Sequence, residues 1–305
     1  MSSPSQPSSY SPTPITRVGI VAKRGLRAAS DHLDRLAGWL REHHIEAVFE
    51  TETAALAGAG NGAASRSREE LPAHADLVVV MGGDGTLLSM ATRIAQAGRN
   101  IPILGVNFGS LGFLTEVRID ELYTALGSVM DGTATIDERS MLAADAYRQR
   151  EHFDSRIVLN DVVFTKAALS RIIELSISVS TGLMTKVKAD GLIIASATGS
   201  TAYNLAAGGP IIHPRVDALA ITPIAPHTLT NRPVVIPGSE VIEIRPHLGT
   251  VDDEIYVTYD GQTGYPLQKG DVVKVRTSEW RLRLVKAAAR SYFDVLREKL
   301  KWGER

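Results

Sequence analysis

The stretch Leu77–Ala97, LVVVMGGDGTLLSMATRIAQA, decides the fold class. Its first five residues are apolar and valine-rich, and so short a run reads as a buried strand. Gly82-Gly-Asp-Gly-Thr86 breaks that run, and Leu87–Ala97 then reads as a helix. Strand, glycine-rich turn and helix in this order form the repeating unit of a parallel α/β sheet. Such sheets bind ligands at the carboxyl ends of their strands.

The alternation continues on both sides. Toward the N-terminus, Arg17–Lys23 and Ile45–Phe49 read as strands. Between them Ser30 is placed to cap a helix with Leu33, Leu36, Ala37 and Leu40 on one face. Toward the C-terminus, Ile101–Asn107 reads as a strand and Glu121–Met130 as a helix. Beyond residue 130 the period changes. Met141–Arg148, Arg156–Thr165, Ile172–Ser180, Val241–Arg245, Glu254–Asp260 and Val272–Arg276 read as strands, with Pro237-Gly238 and Asp260-Gly261 as turn signals. A helix is predicted near Ser200–Ala207, and Tyr292–Trp302 closes the chain as an amphipathic helix aligning Phe293, Leu296 and Leu300.

The expected architecture is α/β plus all-β. A tail (1–16) precedes a Rossmann-like parallel α/β domain (17–130) and a β-sandwich-like domain (131–285) that binds the substrate. The final helix (286–305) is expected to return to the N-terminal domain. A cleft where two domains meet is a usual place for a small-molecule site.

Composition narrows the function classes. The 305 residues are 44 % apolar and 22 % charged, and 33 Lys plus Arg nearly balance 34 Asp plus Glu. That balance offers no long-range attraction to a nucleic-acid backbone. There are no cysteines, which excludes disulfides, thiolate metal sites and a cysteine nucleophile, and points to a reducing compartment such as the cytoplasm. No apolar run approaches the roughly 18 residues of a membrane span. Met1–Thr16 is rich in Ser and Pro, with neither a basic start nor an apolar stretch, so it reads as a disordered tail and not a secretory signal.

Four places carry candidate chemistry. At the tip of the strand Leu77–Met81, glycines around Asp84 let backbone approach a phosphate or sugar, and the amides of Gly85 to Leu87 open a helix that attracts negative charge. A carboxylate there suits a general base in phosphoryl transfer; an Asp-Gly turn joining strand to helix is the plainer alternative. Thr198-Gly-Ser-Thr201 follows the apolar run Leu192–Ala195 and reads as a helix N-terminus, either binding an anion or simply capped. Tyr203 beyond it can lie against a flat ring. Asn160-Asp161 interrupts an apolar run, as a bulge or as a pair that meets a ligand's hydroxyls. Asp260-Gly-Gln262 reads first as a hairpin turn. Other signatures fail. There is no G-x-x-x-x-G-K-[ST] loop, no G-x-S-x-G, and Gly58-Ala-Gly60-Asn-Gly62 does not complete a dinucleotide fingerprint. The eight histidines show no metal-ligand spacing.

Taken together, these segments resemble the NAD kinase family. Gly82-Gly-Asp-Gly-Thr86 alone is shared with lipid kinase and phosphofructokinase relatives. The run from Ala189-Asp-Gly-Leu through Thr198-Gly-Ser-Thr-Ala-Tyr203 into Ala207-Gly-Gly-Pro210 is far more specific to NAD kinases. Asn107-Phe-Gly-Ser-Leu-Gly-Phe-Leu114, Asn160-Asp161, Asn231-Arg-Pro233 and Asp260-Gly-Gln262 fall in the family's order, and the likeness runs from about Arg17 to the final helix. The sequence departs from the common pattern at Ala197, where relatives often have Pro, and at Asp161, where many have Glu.

The resemblance implies transfer of the ATP γ-phosphate to the 2′-hydroxyl of the adenosine ribose of NAD, with Asp84 as base and Gly82, Gly83, Gly85 and Thr86 facing the donor phosphates. It implies NAD contacts at Asp84, Gly85, Phe108, Asn160, Asp161, Arg171, Lys188, Asp190, Thr201, Ala202, Tyr203, Asn204, Leu205, Ala206 and Gln262. A divalent cation, Mg²⁺, would be carried mainly by ATP, with no metal site built from protein ligands. A homo-oligomer, dimer or tetramer, is the family's habit, and no nucleic acid or membrane is expected as a partner. A lipid kinase of the same superfamily and a noncatalytic NAD-binding regulator are the alternatives.

Overall fold

The computed structural model describes residues 14–58, 64–109, 111–166, 172–180, 182–228, 230–248, 254–286 and 290–303. The chain divides into two compact units, Met1–Glu138 with Arg283–Arg305, and Arg139–Leu282.

In the first unit, β1 (Arg17–Ala22), β2 (Glu46–Glu50), β3 (Ala64–Arg66), β4 (Leu77–Met81), β5 (Pro102–Asn107) and β6 (Val117–Arg118) form a parallel sheet. Its order is β3-β2-β1-β4-β5, with β6 added on β5. Arg283 and Leu284 pair in parallel with Pro102 and Ile103. Strands buried on both faces need continuous apolar sequence, and β4 is buried at all five positions. The helices are α1 (Ser30–Glu42), α2 (Thr51–Ala54), α3 (Asp84–Gln96) and α4 (Leu122–Met130).

Helix α1 buries Leu33, Leu36, Ala37 and Leu40, the four residues its spacing predicts. Ser30 does not cap it. The chain enters from a 3₁₀ turn over Arg27–Ala29, so Ser30 is already helical and Ala29 holds the cap position without a side-chain bond. Helix α3 opens at Asp84, three residues before the predicted Leu87. Asp84, Gly85 and Thr86 form its first turn without adding apolar periodicity.

The second unit comprises most of β7 (Ile136–Arg148), then β8 (Glu151–Val158), β9 (Asp161–Lys166), β10 (Ile173–Val179), β11 (Gly182–Ala189), β12 (Gly191–Ser196), β13 (Ala218–Ile224), β14 (Val234–Pro237), β15 (Ile242–His247), β16 (Ile255–Tyr259), β17 (Thr263–Leu267) and most of β18 (Val272–Val285). One sheet here runs β11-β10-β15-β18-β7-β8, and the other β14-β13-β12-β9-β16-β17, the latter antiparallel throughout. Alternate side chains of both sheets, among them Leu142, Val162, Phe164, Leu175, Ile177, Leu192, Ile194, Leu219 and Ile244, form one core between them. The opposite face of the second sheet is also covered, with Val163, Ile193, Ala195 and Ala220 packing on Ile212. Burial on both faces explains why Leu192–Ala195 shows no alternation.

Two readings need correction here. The single strand predicted over Arg156–Thr165 is two strands: β8 pairs with β7 in one sheet, and β9 pairs with β12 and β16 in the other. The chain changes sheets at Leu159–Asn160, and apolar content continues across the step because both segments feed the same core. The helix predicted near Ser200–Ala207 is a 3₁₀ turn, Gly199–Thr201, followed by the single turn α5 (Tyr203–Ala206).

The last helix, α6 (Tyr292–Leu300), belongs to the first unit. A capping box opens it: Ser291 Oγ accepts from the Asp294 amide, and the Asp294 carboxylate accepts from the Ser291 amide. Val295 and Leu296 are its buried residues, whereas Phe293 faces solvent, contrary to the predicted alignment. Arg290, just before it, pairs with Glu121 at 3.0 Å. Among the described residues no helix is long and apolar enough to cross a membrane.

Candidate functional site

The glycine-rich turn after β4 sits where the sequence predicts. Gly83 is extended, with φ −96° and ψ −178°, and Asp84 is the first residue of α3. The Gly82 amide donates to Val106 at 2.9 Å, tying the end of β4 to β5. Of the three amides expected to open the helix, those of Thr86 and Leu87 donate back to the Gly83 carbonyl, at 3.0 and 3.4 Å. Gly85 is exposed at the helix mouth.

The Asp84 carboxylate is half-buried and held by the loop that follows β5. Its Oδ1 accepts from the amides of Leu114 and Thr115, both at 3.1 Å, and from the Thr115 hydroxyl at 3.0 Å. Among the described residues its Oδ2 accepts only from the Phe113 amide, at 2.8 Å. A carboxylate offers about four lone-pair sites, two on each oxygen, so the room left for a further donor is on Oδ2. Gly112 is needed for this approach: a Cβ there would lie 2.1 Å from Asp84 Oδ1. The Asn107 amide steadies the same corner, with Nδ2 donating to Thr115 Oγ1 at 3.2 Å and Oδ1 accepting from Gly109 at 2.6 Å. Thus two motifs separated by more than twenty residues, around Asp84 and around Asn107–Thr115, interlock. Phe108 lies beside them with its ring edge-on to His32, centroids 5.4 Å apart.

In the second unit three further motifs meet. The segment Leu159–Asp161 links β8 to β9. Its amides donate to the Asp260 carboxylate, at 2.8 Å from Leu159, 2.7 Å from Asn160 and 3.1 Å from Asp161. Its carbonyls turn toward Ser196: the Ser196 amide donates to Asn160 at 2.9 Å, and Ser196 Oγ donates to Leu159 at 2.5 Å. Gly199 presses on the same backbone, where a Cβ would stand 2.0 Å from the Asn160 carbonyl oxygen. The Thr198-Gly-Ser-Thr string is therefore a close-packed corner rather than the N-terminus of a long helix. Ser200 Oγ is engaged inside it, donating to Ala197 at 2.6 Å and accepting from Ile212 at 2.9 Å. The Thr198 hydroxyl oxygen is buried without a hydrogen-bond partner among the described residues.

Two buried carboxyls lie together at this corner. Burial, and then the charge of Asp260, push Asp161 up to about 7. Burial pushes Asp260 up to about 6, against the three amide bonds that favour its ionised form. The three amides favour the ionised form of Asp260, whose charge in turn raises Asp161.

The remaining sites are less uniform. Lys188 on β11 is exposed and pairs with Glu174 at 3.2 Å, and Asp190 pairs with Lys166 at 2.7 Å. Tyr203 is exposed and Thr201, Ala202 and Leu205 are half-buried, while Ala206 is exposed. Asn204 is fully buried. Its Nδ2 donates to Ser200 and Pro210, both at 3.0 Å, and its Oδ1 accepts from Thr222 at 2.6 Å, so its side chain braces the loop from within. Gln262 is exposed at the end of the β16–β17 turn. Arg171 lies outside the described residues. Among the described residues no group of three or more His, Cys, Asp or Glu side chains is arranged to hold a metal. Neither Asp260 nor Thr115 has a site role assigned from sequence: Asp260 shows there as part of a turn motif whose site residue is Gln262, and Thr115 lies one residue past the motif Asn107–Leu114.

Comparison with known proteins bears on the family and the fold. Residues 18–134 match the ATP-NAD kinase N-terminal domain, and residues 159–287 the ATP-NAD kinase C-terminal domain. The chain belongs to the NAD kinase family. The NAD kinase of Geobacter metallireducens is 50 % identical over 270 residues, covering 88 % of this chain and 93 % of that protein. That of Geobacter sulfurreducens is 48 % identical over 291 residues, covering 95 % and 100 %. The fold is shared with yeast NADH kinase, solved in complex with NADH, at a TM-score of 0.86 and 23 % identity over 96 % of this chain and 89 % of that one. As a NAD kinase the chain is an enzyme, an ATP-dependent phosphotransferase acting on NAD. The lipid-kinase and noncatalytic readings are thereby set aside.

Proposed function

We propose that Asp84 is the general base and that its Oδ2 is the working atom. The adenosine-ribose 2′-hydroxyl of NAD gives its proton to Oδ2. The hydroxyl oxygen then bonds to the γ-phosphorus of ATP as the bond to the β-phosphate oxygen breaks, yielding NADP and ADP. The observation that carries this reading is the uneven loading of the carboxylate: three donors on Oδ1 fix its orientation, and Oδ2 keeps room for one more. Gly82, Gly83, Gly85 and Thr86 face the phosphates of ATP, which enters with Mg²⁺ bound to it as part of the substrate, neutralising charge on the transferring group.

In the second unit, Asn160 and Asp161 take the hydroxyl and ring donors of the dinucleotide. Thr201 through Ala206 run along it, the buried Asn204 contributing through backbone. Lys188, Asp190 and Gln262 add outer contacts, as do Phe108 and Arg171. A cysteine-free chain suits a reducing cytoplasm, and we take the working form to be a homo-oligomer.

The test is Asp84→Asn, assayed by NADP formation from NAD and Mg·ATP. A fall in kcat of about 10²–10⁴-fold is expected, with NAD still bound. Turnover within about twofold of the parent would remove Asp84 from the role.

A further inference from the structure

Leu159–Asp161 is the segment on which the proposed dinucleotide contacts Asn160 and Asp161 are carried. It is also where the chain leaves one sheet and enters the other, so its first amides have no ladder partner of their own. Asp260, about a hundred residues later in sequence, supplies that partner. Two oxygens of one carboxylate accept three consecutive amides, with distances between 2.7 and 3.1 Å. The exchange is mutual, because the Asp260 amide donates to the Asp161 carbonyl at 3.0 Å. On its other side the segment rests on Ser196 and Gly199. Backbone fixed on both sides leaves the side chains of residues 160 and 161 to set the binding geometry.

We propose that Asp260 is a positioning residue for NAD: it orients Asn160 and Asp161 by holding the amides of residues 159–161, without touching the substrate. The inference rests on the proposed role of that pair. A rival explanation is that Asp260 merely makes the turn. It sits at φ +52° with Gly261 at φ +63°, and the Gln262 amide donates to Tyr259 at 2.9 Å, a type I′ hairpin. Turn and clamp can be separated chemically. Asparagine and glycine serve the first central position of a type I′ turn as well as aspartate does. Asparagine has one acceptor oxygen in place of two and presents an NH₂ to amides that need an acceptor; glycine has no acceptor.

The experiment is steady-state kinetics on the full chain with varied NAD and Mg·ATP, for the parent, Asp260→Asn, Asp260→Gly and Asn160→Ala. Misplacing a binding group by about an ångström costs up to ~10²-fold, so KM for NAD should rise about 10-fold or more in both Asp260 variants. KM for ATP should stay within about twofold. The Gly variant keeps the question open to test if Asn disturbs folding. Asn160→Ala is the reference. If it raises KM for NAD and the Asp260 variants do not, Asp260 is only a turn residue and the inference fails while the role of the pair stands. If Asn160→Ala itself leaves KM for NAD unchanged, the role assigned to Asn160 fails first. A rise in KM for ATP equal to that for NAD would mean general loosening, and would also overturn the inference.

Discussion

Among the described residues Thr115 supplies the one hydroxyl that donates to Asp84, and so the one donor that substitution can remove while keeping the backbone. Its Oγ1 accepts a hydrogen bond from Asn107 Nδ2 and donates one to Asp84 Oδ1, a short relay of hydrogen bonds from β5 to the start of α3. Val has the same shape without the hydroxyl. Thr115→Val would leave Oδ1 with two amide donors, loosening the preference that reserves Oδ2 for the substrate. A hydrogen bond to a charged group contributes about 1.5–3 kcal/mol, so kcat is expected to fall about 10- to 100-fold. Thr115→Ser restores the hydroxyl and should recover most of the rate. Equal kcat in the Val and Ser variants would show that the relay has no part in turnover.

At the scale of elements, the start of β9 and the β16–β17 turn bring Asp161 and Asp260 into one buried corner, and this pairing makes stability depend on pH. Both carboxyls are raised above their ordinary value of 3.8, to about 7 and about 6. The native state therefore binds their protons more tightly than the unfolded chain does. The stabilising contribution is fully present below about pH 3.8 and is lost as pH rises through 6 and 7. Asp161→Asn mimics the protonated form and removes its share of the loss. In urea unfolding the variant should gain on the parent by on the order of 1–3 kcal/mol at pH 8, the gain shrinking toward pH 4. A gain that does not change with pH would contradict the assignment. This corner also shows where sequence reading stops. Four strands of the parallel sheet were legible as continuous apolar runs, because burial on both faces demands them, and the buried face of α1 by its helical spacing; the short β3 and β6 carry too few apolar residues to show. Asn160-Asp161, Thr198–Thr201 and Asp260–Gln262 were each visible as interrupted patterns. What joins them is backbone hydrogen bonding from Asp260 and the close approach of Gly199, which impose no periodicity. The sheet change at Leu159 was hidden for a related reason, since both strands deliver apolar side chains to one core.

For the whole molecule, the path of the chain predicts which part can fold alone. The second unit, Arg139–Leu282, is one uninterrupted segment, and the large core between its two sheets draws on strands within that segment. The first unit is assembled from Met1–Glu138 and Arg283–Arg305. Cutting after residue 138 removes the parallel partner of Pro102–Ile103 and the buried Val285. It also removes Lys286 and Arg290, which reach Glu116 and Glu121, and all of α6. Domains with a continuous core generally fold independently, whereas one that lacks a strand and a helix exposes the surface they covered. A fragment spanning 139–282 is expected to give a β-type circular dichroism spectrum and a single cooperative urea transition. A 1–138 fragment should aggregate or show no transition, and should recover one when 283–305 is joined to it through a flexible linker. Cooperative unfolding of 1–138 on its own would show that the returning segment is an accessory to the first unit and not part of its core.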